Sequence, residues 1–274
     1  MACRLLPRAL ASARVFRHAY AASPAPPRLA RAGAAAGALA AAFASAAAAC
    51  EPRLAAADAL FASNDYERLV DVLRAEARAA PDAEVLWRLA RGLKKLADPL
   101  PAARQEPIVR EALRHAEEAL RRDGACGPAH KWYAILLSQV GGFGSTSEKI
   151  KNSFVVKEHF ELAVKHSPED ATSRHLLGVW CFEVAKLSWI EKKAAAALFA
   201  TPPSATLDEA IGHFLAAERM EPNFYPKNQL LLAQAYAKAG AKAEAKEWLA
   251  KCLSATPKTP EDEETLREAA KLKI

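Results

Sequence analysis

Residues 207–257 read L-D-E-A-I-G-H-F-L-A-A-E-R-M-E-P-N-F-Y-P-K-N-Q-L-L-L-A-Q-A-Y-A-K-A-G-A-K-A-E-A-K-E-W-L-A-K-C-L-S-A-T-P. Ala210, Phe214 and Ala217 are spaced four and three apart, which puts them on one helix face, and Pro222 ends that segment. Ala245, Leu249 and Cys252 repeat the spacing, and Pro257 closes the second copy. Between them Leu232, Ala233 and Tyr236 offer a large, a small and an aromatic residue on an intervening helix, and Gly240 supplies the turn. Small residues where helices approach, large ones that plug between them and a breaker at a fixed offset define a helical hairpin. Such a unit cannot bury its apolar face alone, so neighbours are required.

The neighbours lie upstream. Val156, Phe160, Ala163 and Pro168 form one second-helix copy, Ala112, Ala116 and Ala119 another, and Leu69, Leu73 and Pro81 a third, behind Tyr66 at a turn position. First-helix segments alternate with them: Ala56-Ala57-Leu60, Leu86-Leu89-Ala90-Leu93, Trp132-Ile135-Leu136, Leu177-Gly178-Cys181 and Leu232-Ala233-Tyr236. These make five hairpins over residues 51–257 with a period of about 34 residues, the tetratricopeptide period, plus insertions. A last helix from Glu261 to Leu272 is expected to cover the final apolar face. The expected fold is an all-α, tetratricopeptide-like helical-hairpin solenoid with lengthened intra-repeat loops and a C-terminal capping helix. Its expected organisation is an arm, 1–50, and a repeat domain, 51–274.

The chain of 274 residues, 51% hydrophobic, is long enough to bury a substantial helical core. The net charge of +6 resides in the arm. Residues 1–50 carry Arg4, Arg8, Arg14, Arg17, Arg28 and Arg31 and no Asp, Glu or Lys; without those six, 32 basic residues face 32 acidic ones. The repeat body is neutral, so a nucleic-acid partner is not expected. The five cysteines, 3, 50, 126, 181 and 252, are scattered without a C-x-x-C pair, and those of the body read as reduced packing residues.

An Arg- and Ala-rich start without acids has the composition of a mitochondrial presequence. The uncharged run Gly33–Ala49 is weakly apolar and close to the lower length of a bilayer span. Three readings stay open: a targeting arm, a short membrane anchor behind a basic flank, and a flexible low-complexity leader. Membrane contact is expected through this arm if at all.

Residues for chemistry are scarce. The seven histidines are dispersed: Glu158-His159 lacks the second His of a zincin helix, and His175 and Cys181 point to different faces. No phosphate loop or nucleophile elbow occurs, and Gly141-Gly142-Phe143-Gly144-Ser145 reads as a lengthened turn inside the third hairpin. No enzyme activity, cofactor or metal is expected. Two insertions stand out. Gly141–Lys151 carries Lys149 and Lys151, and Phe182–Ala205 carries Val184, Leu187, Trp189, Ile190, Leu198 and Phe199 in one or two amphipathic helices, with Lys186, Lys192 and Lys193 on the polar side. The longer insertion is either a lip that contacts a partner or lipid, or a helix pair packed into the solenoid.

A-H-K-W-Y-A-I-L-L-S (Ala129–Ser138), K-E-H-F-E (Lys157–Glu161), A-T-S-R-H-L-L-G-V-W-C (Ala171–Cys181), L-F-A-T-P-P-S (Leu198–Ser204) and E-P-N-F-Y-P-K-N (Glu221–Asn228) resemble the regulator of microtubule dynamics protein family, with a shorter member as the nearest match. The resemblance covers residues 55–272. It implies a tetratricopeptide-like, non-enzymatic adaptor associated with microtubules, the spindle and spindle poles. A longer member of that family is tethered to the mitochondrial outer membrane and linked to lipid binding.

The leading expectation is therefore a scaffold whose groove, lined by first-helix residues, receives tubulin or another protein. Tubulin is acidic, so basic groups would steer the encounter. Candidate contacts are Lys131, Tyr133, Arg174, Lys227 and Asn228 in the groove and Trp189, Lys192 and Lys193 on the insertion. The alternative is a lipid-binding or lipid-transfer module at the mitochondrial surface, with the Phe182–Ala205 insertion closing an apolar pocket. The arm alone would suggest a mitochondrial-matrix factor, cleaved on import.

Overall fold

A computed structural model describes residues 54–198 and 203–274; the arm and Phe199 lie outside them. The described residues fall into two compact units that divide between Asp123 and Gly124.

The first unit contains α1 (54–62), α2 (Tyr66–Ala79), α3 (Ala83–Ala97) and α4 (Ala102–Arg122). Asp65 and Asp82 cap α2 and α3 by accepting backbone N–H groups that the helix leaves unsatisfied. Leu69, Val70 and Leu73 of α2 bury against α3, whose Leu86, Leu89, Ala90 and Leu93 are equally enclosed. On α4 the buried apolar residues are Val109, Ala112, Ala116 and Ala119, so short side chains stand where α3 and α4 approach.

The second unit contains α5 (Gly127–Phe143), α6 (Thr146–His166), α7 (Ala171–Ala185), α8 (Trp189–Leu198), α9 (Leu207–Met220), α10 (Pro226–Ala239), α11 (Lys242–Leu253) and α12 (Pro260–Lys271). Helices α5/α6, α7/α9 and α10/α11 are hairpin partners, and α6 packs on α7 as α9 does on α10. α12 lies on α10 and α11. Trp132, Phe160, Phe182 and Phe214 are the largest fully buried side chains, and Ala163, Ala210, Ala217 and Ala245 are fully enclosed small ones. This is the alternation of plug and close approach that the spacing predicts.

Three local features differ from the expectation or sharpen it. Gly141–Phe143, expected within a turn, finish α5 instead, and only Gly144 and Ser145 link it to α6. The extra length enters the helices, of 17 and 21 residues, because the Ser145–Glu148 capping box starts α6 at once. Val184 belongs to the end of α7, so the long insertion contributes one described helix, α8. Gly240 turns α10 into α11 with φ +86, a left-handed conformation that costs glycine little.

Candidate partner-binding site

Most cations on the first helices are already neutralised internally. In the first unit Arg88 and Arg91 both bind Asp58, at 3.0 and 2.7 Å, and Arg91 lies 3.7 Å over the Phe61 ring. Burial alone would raise the Asp58 pKa; hydrogen bonds and charge from the two guanidiniums outweigh it, and the carboxyl titrates below its ordinary value. In the second unit Lys131 is buried and its Nζ binds Asp170 at 2.7 Å. Lys131, expected as a groove contact, is thus engaged within the packing: leaving an ammonium in that position unpaired would cost far more than pairing it.

Asn228 is engaged internally in the same way. Fully buried, it holds three elements together. Its Nδ2 donates to the Phe214 carbonyl at 3.1 Å and approaches Glu218 at 3.4 Å, while its Oδ1 accepts from His175 Nδ1 at 2.9 Å. Glu218, itself buried, also accepts from the Asn223 backbone N–H at 3.0 Å, Gln229 Nε2 at 3.2 Å and Lys251 Nζ at 2.8 Å. Asn223 has φ 60, a left-handed turn that asparagine tolerates. The motif E-P-N-F-Y-P-K-N therefore builds a polar core around Glu218, and its residues specify how α9 enters α10.

His175 is wholly enclosed among Phe214, Phe224 and Tyr225, with centroids 5.6, 6.3 and 5.1 Å away. Burial is the main reason its pKa falls to about 4, against the opposing hydrogen bond to Asn228. The imidazole is neutral in the folded chain, with Nδ1 as donor. Unfolding frees it to titrate near 6.5, so the stability it contributes is complete above that value and is lost as pH falls towards 4. His159 acts with the same sign: burial, then the neighbouring His130, lowers it to about 4. The expected slope is about 1.4 kcal/mol per pH unit for each fully shifted histidine across that window. Urea midpoints at pH 7, 5.5 and 4.5 measure it, and a flat profile would contradict the assignment.

The histidines are less dispersed than their sequence positions suggest. His130 Nε2 lies 3.0 Å from the Gly124 carbonyl and its Nδ1 3.0 Å from His159 Nδ1, while His166 stacks on His130 at 5.7 Å. A carbonyl only accepts, so His130 carries its proton on Nε2 and receives one from His159. Tyr133, half-buried, rests on the His159 ring at 4.3 Å. His159 and His166 are seven residues apart on α6, two turns and one face, a signal that was present in the sequence. Among the described residues no group of three His, Cys, Asp or Glu could hold a metal ion. Cys181 and Cys252 are buried, and burial pushes their thiols up to about 12 and about 11, so they remain protonated packing groups.

The remaining candidates divide in two. Lys227 is ion-paired with Glu268 of α12. Arg174, half-buried, enters no ion pair among the described residues and lies near His213, whose pKa is lowered by burial first and by this guanidinium second. On α8, Trp189 is 68% exposed, the largest value among the bulky apolar residues described. Lys193 Nζ sits 4.2 Å over its ring, and Lys192 is exposed beside it. Trp189, expected in the apolar stripe, therefore points away from the packed side, where Leu187 and Ala195 are buried. Ser188 and Glu191 cap the helix reciprocally, at 2.7 and 3.3 Å, which holds the first turn and its tryptophan in place. Among the described residues no helix is long and apolar enough to cross a membrane.

Interlocked hairpins of this period, closed by a further helix, define a tetratricopeptide-type repeat protein. A solved thermophilic tetratricopeptide protein of Thermus thermophilus shares the fold, with a TM-score of 0.57 at 18% identity over 81% of this chain and 99% of its own. The chain belongs to the regulator of microtubule dynamics protein 1-3 family, whose model matches residues 53–273. It is 42% identical over 224 residues to regulator of microtubule dynamics protein 1 of Bos taurus, covering 81% of this chain and 70% of the relative. It is 37% identical over 183 residues to regulator of microtubule dynamics protein 3 of Xenopus laevis, covering 66% and 40%.

Proposed function

We propose that this chain is a non-enzymatic, microtubule-associated adaptor that binds tubulin, or a protein on microtubules, through a surface of its helical repeats, and that it resides with the cytoskeleton. Relatives named as regulators of microtubule dynamics support the cellular setting. The observation that carries the site is α8. Its Trp189 is exposed on a capped helix and flanked by Lys192 and Lys193, which enter no ion pair among the described residues. An exposed aromatic beside unspent positive charge suits an acidic protein surface: the lysines raise the encounter rate, and the indole supplies area to desolvate on docking. Arg174 and Tyr133 remain secondary candidates.

The test is co-sedimentation of the full chain with polymerised tubulin. Trp189→Ala is expected to weaken binding about tenfold, as loss of an interface anchor does. Lys192→Ala/Lys193→Ala is expected to flatten the fall of binding with salt. Unchanged pelleting by both variants would remove α8 from the site; no pelleting by the parent chain would remove the reading itself.

A further inference from the structure

α12 is an acidic helix that the repeat already binds. Its first turn carries Glu261, Asp262 and Glu263, and Thr259 and Asp262 form a capping box. Its polar partners lie at the start of α10. The Tyr225 hydroxyl donates to Glu261, and the Lys227 ammonium pairs with Glu268. Leu266, Ala269 and Leu272 complete the contact against Leu230, Leu249 and Cys252. Burial first, and the Glu261 carboxylate second, hold the Tyr225 phenol well above its ordinary pKa, so it stays a donor.

A helix that only caps a solenoid needs an apolar inner face and a polar outer one. This helix also brings Glu261 to the Tyr225 phenol and, at its exposed edge, Glu268 to the Lys227 ammonium, both at the start of α10. Its apolar contribution is small, because Leu266 and Leu272 are only half-buried. It is joined to α11 by an irregular linker, 254–259, that contains Pro257. Tethering supplies a local concentration of about millimolar, which keeps it seated without tight intrinsic affinity.

We propose that the face of Tyr225, Lys227, Leu230 and Leu249 is a receptor for an acidic amphipathic helix, and that α12 is its resident occupant, which a partner's acidic helix displaces. The proposal rests on the adaptor reading only in taking the displacing helix to belong to a partner.

The experiment uses the full chain and a fluorescent synthetic peptide of residues 259–274, followed by anisotropy. Glu261→Gln/Glu268→Gln removes both carboxylate contacts, and hydrogen exchange reports α12 separately from α7, α9 and α10. The wild-type chain is expected to leave the peptide unbound at micromolar concentration. The released variant is expected to bind at least tenfold more tightly, with fast exchange confined to α12. Adding Lys227→Glu to that variant should abolish binding, and a peptide carrying Glu268→Lys should restore it. Equal binding by wild type and released variant overturns the proposal. So does binding that ignores Lys227→Glu, or an α12 that stays protected in the released variant. Microtubule co-sedimentation of the same proteins bears on the adaptor reading alone, so the two can fail separately.

Discussion

Phe214→Ala is expected to destabilise the second unit by about 3–5 kcal/mol, the range for removing a fully buried aromatic ring. Phe214 is completely enclosed on α9, with His175 5.6 Å and Phe182 6.4 Å from its centroid. A Cβ built on Gly178 of α7 would come within 2.8 Å of the Phe214 ring, so α7 and α9 approach over a missing side chain. The ring is thus the plug and the glycine the seat. Truncation leaves a void beside a neutral imidazole whose Nε2 has no hydrogen-bond partner, and neither flanking helix can move inward without breaking the Asn228 contacts. Urea denaturation and hydrogen exchange of α7 and α9 measure the loss. Gly178→Ala alone should also destabilise, by overpacking, yet cost less in the Phe214→Ala background, where its methyl enters the void. Additive losses would show that the two positions do not share that space.

Glu218→Ala is expected to cost about 3 kcal/mol, chiefly through the donors it abandons rather than the charge it removes. The carboxylate satisfies the Asn223 backbone N–H, Gln229 Nε2 and Lys251 Nζ, with Asn228 close by. Gln229 Nε2 would keep only its bond to Asn223 Oδ1 at 3.1 Å, and the same amide already has an unpartnered buried Oε1. Lys251, whose side chain is 37% exposed, regains hydration once released. Lys251→Ala leaves the buried Glu218 carboxylate with its amide donors still in place, so it should cost less than Glu218→Ala. The two variants compared by urea midpoint separate the explanations. Equal losses would mean that the ion pair, and not the buried amide network, carries the stability.

Charge placement bears on recognition as much as on stability. Arg88, Arg91 and Lys131 are first-helix cations of the kind that lines a basic groove, yet each pairs with a carboxylate of its own unit. Counting basic residues along a repeat therefore overstates what a partner meets. Lys192 and Lys193 differ because α8 lies in an insertion, where the period supplies no facing acid.

The chain by itself determined the repeat. Ala210, Phe214 and Ala217, or Val156, Phe160 and Ala163, bury one face because spacings of three and four are a property of the helix, independent of anything distant. Turns were equally local: Gly240 needs only its own φ, and Ser145 with Glu148 closes a box within four residues. Only the tertiary structure decided which polar side chains are spent. Lys131 meets Asp170, 39 residues away, Asn228 meets His175, 53 away, and Lys227 meets Glu268, 41 away. No local pattern encodes such pairs, because a charge's partner is set by where helices cross and by the cost of leaving either group buried alone. Trp189 shows the converse. Its spacing placed it on an apolar stripe, but Leu187, just before α8, and Ala195 on it took the buried positions and left the indole outside.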